Sequence, residues 1–162
     1  MPKITPFLWF DTQAEDAAKF YVSVFKNSKI TNVTHYGEAG PGKAGSVMTV
    51  AFELDGQEFT ALNGGPEFQF THAVSFFINC KDQDEVDYFW EKLSEGGQEV
   101  QCGWLRDKYG LSWQIVPEGL SEVLAGDDDE GSRRAMEAMF EMKKLDTNEL
   151  RRAYAGATPA GT

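Results

Sequence analysis

Few side chains in this chain have the chemistry of a catalytic or metal-binding residue. Its 162 residues include only two histidines and two cysteines. Cys102 lies beside Gly103 and Trp104, where a reactive thiol would need a cationic neighbour or a helix N-terminus to lower its pKa. Arg106 is near in sequence, but four residues of a strand span about 13 Å. We therefore favour a small hydrophobic role for Cys102, near a cavity, over a nucleophilic one.

The histidines are far apart in the sequence. His72 lies three residues before Ser75 and could become a metal ligand if the register of its strand slipped. The favoured alternative is a loop histidine that caps the start of a strand. His35 precedes a glycine-containing loop and is expected at the surface.

Two segments have the apolar spacing of amphipathic helices, at 14–25 and 83–95. Each begins with a predicted capping box, in which a side chain accepts from an orphan amide and a carboxylate reaches back. The boxes are Thr12 with Glu15 and Asp82 with Glu85, and Gly96-Gly97 predicts a left-handed exit from the second helix.

Short apolar or alternating runs predict strands around these helices. Asp55-Gly56 between two such runs is a strong hairpin signal. The predicted strands cover 4–10, 30–36, 47–54, 57–63, 73–80, 99–105 and 112–117.

The order of these elements, β-α-β-β-β followed by β-α-β-β-β, indicates an internal repeat. A shift of 69 positions places Phe7 on Phe76 and Leu8 on Phe77, and it superimposes the apolar stripes of the two helices. We therefore predict an α+β fold built from two βαβββ modules.

The end of the chain has a different pattern. The acidic run at 127–130 predicts a solvated linker, and Ser132 is a candidate N-cap for a helix over 133–144. Asp146 and Glu149 predict a further helix to about residue 154, and the last residues are expected to fray. The predicted organisation is one domain over 1–126, with modules at about 1–66 and 67–120, and a helical extension over 127–162.

Three stretches carry a resemblance to a known family. They are ITPFLWFDTQAEDAAKFYVSVF at 4–25, FTALNGG at 59–65 and CGWLRDKYGLSWQIVPEGL at 102–120. The chain resembles the PhnB-like, or 3-demethylubiquinone methyltransferase-like, group of the vicinal oxygen chelate superfamily, which includes glyoxalases, bleomycin-resistance proteins and dioxygenases. The resemblance implies a curled mixed sheet around a cavity, and a homodimer.

Metal-using members of that superfamily bind a divalent ion through His or Glu on the first and last strands of each module. The resemblance puts those positions at Thr5 or Pro6, at Val74 or Ser75, at Gln114 and within 60–63. None of them is His, Asp, Glu or Cys. Neutral hydroxyls and amides are weak transition-metal ligands, so we predict no metal and no cofactor.

The methyltransferase label also implies a cofactor that the residues do not favour. A doubly wound methyltransferase needs a glycine-rich turn after its first strand, and the segment after Phe10 reads Asp-Thr-Gln-Ala-Glu. We therefore do not predict binding of S-adenosylmethionine by that route.

Strand alternation predicts which side chains line the cavity. If Ser75 and Gln114 face it, so do Phe77 and Asn79, and by the repeat Leu8 and Phe10, while Trp113 and Ile115 point toward the helices. Such a mixed aromatic and polar lining is typical of small-molecule pockets. The predicted ligand-binding residues are Phe10, Asn63, Ser75, Phe77, Asn79, Cys102, Trp104 and Gln114.

Charge and hydropathy exclude several classes of function. A net charge of -11 disfavours nucleic acid as a partner, and no apolar run approaches the ~20 residues of a membrane span. Two cysteines do not make a disulfide framework, so the cytoplasm is the expected location. The leading hypothesis is a metal-free protein that binds a small organic ligand. An enzyme of the same superfamily and a sequestration protein for an aromatic compound stay open.

Overall fold

The computed structural model describes residues 2–156. The chain forms two compact units that divide between Phe70 and Thr71. Each unit contains a four-stranded mixed sheet with a helix packed on one face. The predicted α+β architecture of two βαβββ modules followed by helices is confirmed.

The N-terminal unit follows the predicted order, with the strand order β1-β4-β3-β2 and β1 parallel to β4. Asp55 and Gly56 adopt positive φ values of 47° and 82°, as the predicted hairpin turn between β3 and β4 requires. The elements are β1 (Phe7–Phe10), α1 (Ala14–Val24), β2 (Lys29–His35), β3 (Val47–Leu54) and β4 (Gln57–Asn63).

Aromatic side chains join α1 to its sheet. Tyr21 stacks on Phe52 with ring centroids 6.2 Å apart, and Phe52 stacks on its cross-strand partner Phe59 at 5.4 Å. All three are buried, and so is the small-residue stripe that includes Ala17 and Ala18. The predicted apolar stripe of α1 is therefore the core of this unit.

The predicted orientation of Leu8 and Phe10 is wrong. In the parallel register Leu8 lies beside Ala61 and Phe10 beside Asn63, on the same face of the sheet as Phe52, which contacts α1. The connection from strand to helix has three residues in this unit and two in the other, so the helices repeat at 69 positions and the first strands, β1 and the first strand of the C-terminal unit, at 70. A slip of one residue moves every side chain of a strand to the opposite face.

The C-terminal unit has the strand order β5-β8-β7-β6, with β5 parallel to β8. Asp82 caps α2 by accepting from the Glu85 amide at 2.9 Å, and Gly96 exits it at φ 74°, both as predicted. The elements are β5 (Ser75–Cys80), α2 (Gln83–Ser94), β6 (Gln98–Glu99), β7 (Trp104–Arg106) and β8 (Ser112–Pro117).

The prediction of one continuous strand over 99–105 is wrong. Residues 100–103 form a turn between β6 and β7, in which Cys102 and Gly103 have φ values of 59° and 83°. A strand cannot continue through left-handed backbone, which glycine adopts readily and other residues do not.

Three helices follow: α3 (Leu120–Leu124), α4 (Asp129–Glu141) and α5 (Thr147–Ala155). Asp128, not Ser132, is the N-cap residue of α4, and the Ser132 hydroxyl instead donates to the Val123 carbonyl at 3.1 Å. Part of the predicted linker is thus helical. The negative charges of Asp129 and Glu130 lie in the first turn of α4, where they interact favourably with the positive end of the helix dipole. Asp146 caps α5 as predicted. Of the residues expected to fray, at 155–162, Ala155 ends α5 and Gly156 is its C-cap residue, while 157–162 lie outside the described part. Within 2–156 no helix has the length and apolar character to cross a membrane.

Candidate functional site

The side of the C-terminal sheet turned away from α2 carries most of the predicted site. We call it the open face and define it by Ser75, Phe77, Asn79, Trp104 and Gln114. In the sheet register Phe77 lies beside Gln114, and Gln114 lies beside Trp104. The opposite face holds the buried residues Leu105, Trp113 and Ile115. The strand alternation of this unit is therefore as predicted.

Two hydrogen-bonded pairs organise the polar groups of this region. The Gln114 side-chain amide donates to the Ser75 hydroxyl at 2.9 Å. At the start of the same strands, the Ser112 hydroxyl lies 2.8 Å from Nδ1 of His72, whose ring meets Trp104 edge-on at 5.9 Å. His72 is thus a loop histidine at the start of a strand, which is the interpretation favoured from the sequence.

The apolar part of the open face is exposed. The side chain of Phe77 is 53% accessible, although phenylalanine is usually buried, and Ser75, Trp104 and Gln114 are half-buried. Arg106, beside Ser112 in the register, lies on this face two residues from Trp104. Neutral polar groups, aromatic rings and one edge cation therefore lie together.

The sequence prediction missed Ser112 and Arg106. The alternation that places Gln114 on the open face also places Ser112 there, and it places Arg106 with Trp104. The contact between His72 and Ser112 could not be found in this way, because the two residues are 40 positions apart.

The open face does not fit a transition metal. Ser75 and Gln114 offer a hydroxyl and an amide, and they hydrogen-bond to each other. With the first strands repeating at 70 positions, Thr5 corresponds to Ser75. Thr60, which lies beside Phe7, corresponds to Gln114, which lies beside Phe77, so the N-terminal unit offers two hydroxyls at these positions. Over residues 2–156 no group of three His, Cys, Asp or Glu side chains could hold a metal ion. Such hard, neutral donors are poor partners for the ions that imidazole and carboxylate select.

Asn63 and Phe10, both predicted to bind ligand, lie on the helix-covered face of the N-terminal sheet. The side-chain oxygen Oδ1 of Asn63 accepts from the Ala14 amide at 2.8 Å, and its side-chain Nδ2 donates to the Val47 carbonyl at 3.1 Å. Asn63 therefore caps α1, and the predicted cap by Thr12 is wrong, since Gln13 is the N-cap residue and makes no side-chain bond. Phe10 is 3% accessible and packs edge-on against Phe70 at 5.2 Å.

The surroundings of both cysteines disfavour the reactive thiolate form. Cys102 lies in the turn before β7 and not on a strand as expected, and burial raises the pKa of its thiol. Burial, followed by the charge of Glu85, raises the pKa of the Cys80 thiol to about 12. Both stay protonated at neutral pH, and thiolates are the nucleophilic form.

A separate cavity of about 480 Å³ lies in the N-terminal unit, among the start of α1, the loop before β3 and the end of β4. Asp11, Glu15 and Asp16 face it from one side and Lys43 from the other. Asn63 reaches this cavity while it caps the helix. The cavity is an alternative location for a ligand, and its lining includes three carboxylates, a lysine and the Tyr36 ring.

Paired βαβββ units with mixed sheets define the glyoxalase-like fold. Solved structures support this assignment. The chain matches protein PA1353 from Pseudomonas aeruginosa at 18% identity and a TM-score of 0.61, covering 73% of this chain and 98% of that one. It also matches the fosfomycin resistance protein FosX from Listeria monocytogenes at 11% identity and a TM-score of 0.50, covering 75% and 97%.

The family follows from closer matches. The model of the 3-demethylubiquinone-9 3-methyltransferase family matches residues 2–116. The PhnB protein from Bacillus cereus is 39% identical, with a TM-score of 0.66, covering 72% of this chain and 99% of that one. The chain belongs to this PhnB-like family, as its resemblance predicted. A comparison with curated proteins finds no match.

Proposed function

We propose that this protein binds a small organic ligand, without a metal, on the open face of its C-terminal sheet. The observation that carries the proposal is the arrangement of Phe77, Trp104 and Gln114, which are neighbours in the register and partly exposed. Aromatic surface with a few fixed polar groups is the usual composition of a small-molecule site. Cys102, in the turn two residues before Trp104, is included in the proposed site as a peripheral residue.

The chemistry of the open face favours an aromatic ligand that carries oxygen. The Phe77 and Trp104 rings offer apolar area and stacking. One of the two N–H groups of Gln114 donates to Ser75, and the other side-chain groups of Gln114 and Asn79 are suited to a carbonyl or hydroxyl. Arg106 adds positive charge at the edge, which suits a phenolate or a quinone oxygen.

A thermal-shift panel of phenols, catechols and naphthoquinones tests the proposal. We expect at least one compound to raise the melting temperature, since a ligand at a hundred times its Kd adds about 2.7 kcal/mol to stability. Phe77→Ala should weaken the binding of that compound about tenfold, because loss of an aromatic contact that the ligand buries costs about 1.4 kcal/mol of binding free energy. Tyr88→Ala, an exposed aromatic on α2, is the matched control and should bind normally. Equal binding by both variants would remove the open face as the site.

The metal-free part of the proposal has its own test. Protein purified without chelators should contain no stoichiometric transition metal, because the donor set is a hydroxyl and an amide. A stoichiometric transition metal would overturn it, and loss of that metal in Gln114→Ala would assign the metal to the open face.

An enzyme of the same superfamily is the alternative function. An oxyanion would need donors aimed at its developing charge, and Gln114 already gives one N–H to Ser75. Methyl transfer is not proposed, because the mixed sheet order and the glycine-free segment after β1 differ from a doubly wound cofactor site. A product formed from a panel compound, and lost in Gln114→Ala, would favour the enzyme over a binding or sequestration protein.

We further infer a homodimer, with α4 as part of the contact. Met136 and Phe140 on this helix are 39% and 56% accessible, and exposed apolar residues on one helix are suited to a subunit interface. Met136→Glu together with Phe140→Glu should shift sedimentation toward the monomer. An unchanged sedimentation profile counts against this contact.

The domain organisation and location remain proposals as well. We infer that residues 1–126 act as one domain, that 127–162 are an extension, and that the protein is cytoplasmic with both thiols reduced. Limited proteolysis should then cut first near 126–128, and cell fractionation should recover the chain in the cytosol.

A further inference from the structure

The helices α3 to α5 lie outside the part of the chain that the family model matches, which ends at residue 116. The segment between α4 and α5 is nevertheless bonded tightly to the C-terminal sheet. We call this segment and the first residue of α5, residues 142–147, the clamp. Its contacts converge on the turn that precedes Trp104.

Backbone hydrogen bonds join the clamp to this turn. The Cys102 amide donates to the Met142 carbonyl at 2.8 Å, and the Gly103 amide donates to the Lys143 carbonyl at 2.8 Å. Both donors belong to the left-handed residues, a conformation that costs free energy for Cys102. The clamp therefore supplies the carbonyl acceptors for the Cys102 and Gly103 amides of this turn.

Packing reinforces the same connection. Leu145 is fully buried, and a Cβ added to Gly103 would lie 3.0 Å from its side chain and 3.0 Å from the Ile115 carbonyl. The Gly103 carbonyl accepts from the Ile115 amide at 2.8 Å. Gly103 is thus held between the clamp and β8, which also carries Gln114.

The other end of the clamp is fixed to α2. The Gln83 side chain donates to the Leu145 carbonyl at 2.9 Å and accepts from the Thr147 amide at 2.8 Å. Lys144 pairs with Asp87 at 2.8 Å. The clamp therefore connects α2 to the turn through hydrogen bonds and an ion pair.

We propose that the clamp positions Trp104 for ligand binding, with Leu145 as the positioning residue. Trp104 follows Gly103 directly and is the open-face neighbour of Gln114 and of the His72 ring. Because residues 102 and 103 precede Trp104, fixing their backbone also fixes the direction in which the Trp104 side chain projects from β7. This inference rests on the proposed function for its ligand, while its structural half stands on the contacts alone.

Leu145→Ala and Leu150→Ala test the proposal as a matched pair. Both leucines are buried, but Leu150 lies in α5 and makes none of the contacts with the turn. In Leu145→Ala we expect the Trp104 indole N–H resonance to move and the Cys102 and Gly103 amides to exchange about tenfold faster. The binding of the best naphthoquinone or phenol from the panel should weaken about tenfold at a temperature where both variants are folded. Leu150→Ala should lower the melting temperature and leave these local signals in place.

Gln83→Ala provides a second variant if Leu145→Ala does not fold, because it removes two anchors of the clamp and leaves the buried leucine. An unmoved indole resonance and unchanged exchange in Leu145→Ala or Gln83→Ala would overturn the proposal. Moved signals with no panel compound binding to the unaltered protein would instead contradict the proposed function and leave the clamp intact.

Discussion

At the scale of single residues, Asp107 is a buried carboxylate that holds the turn between β7 and β8 through several hydrogen bonds. It is 3% accessible and accepts from the Tyr109 amide at 2.8 Å, the Leu111 amide at 3.1 Å and the Trp113 indole at 2.8 Å. A buried carboxylate with three donors fixes the turn and aligns Trp113 beneath the sheet.

Asp107→Asn should lower the free energy of unfolding by about 2 kcal/mol, because the new amide places a donor against donors that are already buried. Urea denaturation measures the loss, with Asp84→Asn on the exposed side of α2 as the control. A change below about 0.5 kcal/mol would show that the turn does not depend on the carboxylate.

Asn63 gives a second residue-scale prediction. Because it supplies the acceptor for the first amide of α1, Asn63→Ala should destabilise the protein by about 1–2 kcal/mol. Thr12→Ala is the control, since the structure gives the cap to Asn63 and not to Thr12. A larger loss in Thr12→Ala than in Asn63→Ala would restore the capping box that the local sequence predicts.

At the scale of elements, local signals predicted most of the architecture. The hairpin at Asp55-Gly56, the cap at Asp82 and the bounds of β3, β4 and β8 depend on residues that are adjacent or nearly so. The cap by Asn63 and the break at Cys102 could not be predicted, because their causes lie 49 and 40 residues away along the chain. The orientation of β1 failed because the length of one connection differs by a single residue between the modules.

The clamp also predicts a pH dependence. Hydrogen bonds from Lys144 and then Gln83 lower the pKa of the Asp87 carboxyl below its ordinary value of 3.8. A carboxyl whose pKa is lowered by folding stabilises the folded state above the unfolded pKa, and this contribution is lost as pH falls through the folded value. The contribution of the ionised pair should therefore begin to fall as pH drops through the ordinary value of 3.8, and it should be lost below the lowered folded pKa.

Asp87→Asn should cost less than about 1 kcal/mol at pH 7, because the pair is exposed to solvent. The difference from the unaltered protein should shrink as pH falls below the ordinary carboxyl pKa of 3.8. Chemical denaturation at a series of pH values measures it, and a difference that grows as pH falls would contradict the assignment of the pair.

At the scale of the whole molecule, the acidic charge is separated from the candidate site. Within 82–99 there are seven acids and one base, and the acids of α2 and its exit are mostly exposed, while the five residues that define the open face are neutral. A net -6 of the total charge of -11 therefore belongs to this helix and its exit. It disfavours nucleic acid as a partner without providing a carboxylate metal site.

The location of the bound ligand is the most direct test of this account. The best-stabilising compound of the aromatic panel is titrated into ¹⁵N-labelled protein, and amide, indole and side-chain amide shifts are followed. We expect the largest changes at Phe77, at the Trp104 indole and at the Gln114 side chain. Changes concentrated at Asp16, Lys43 and Asn63, around the acidic cavity of the N-terminal unit, would contradict the account.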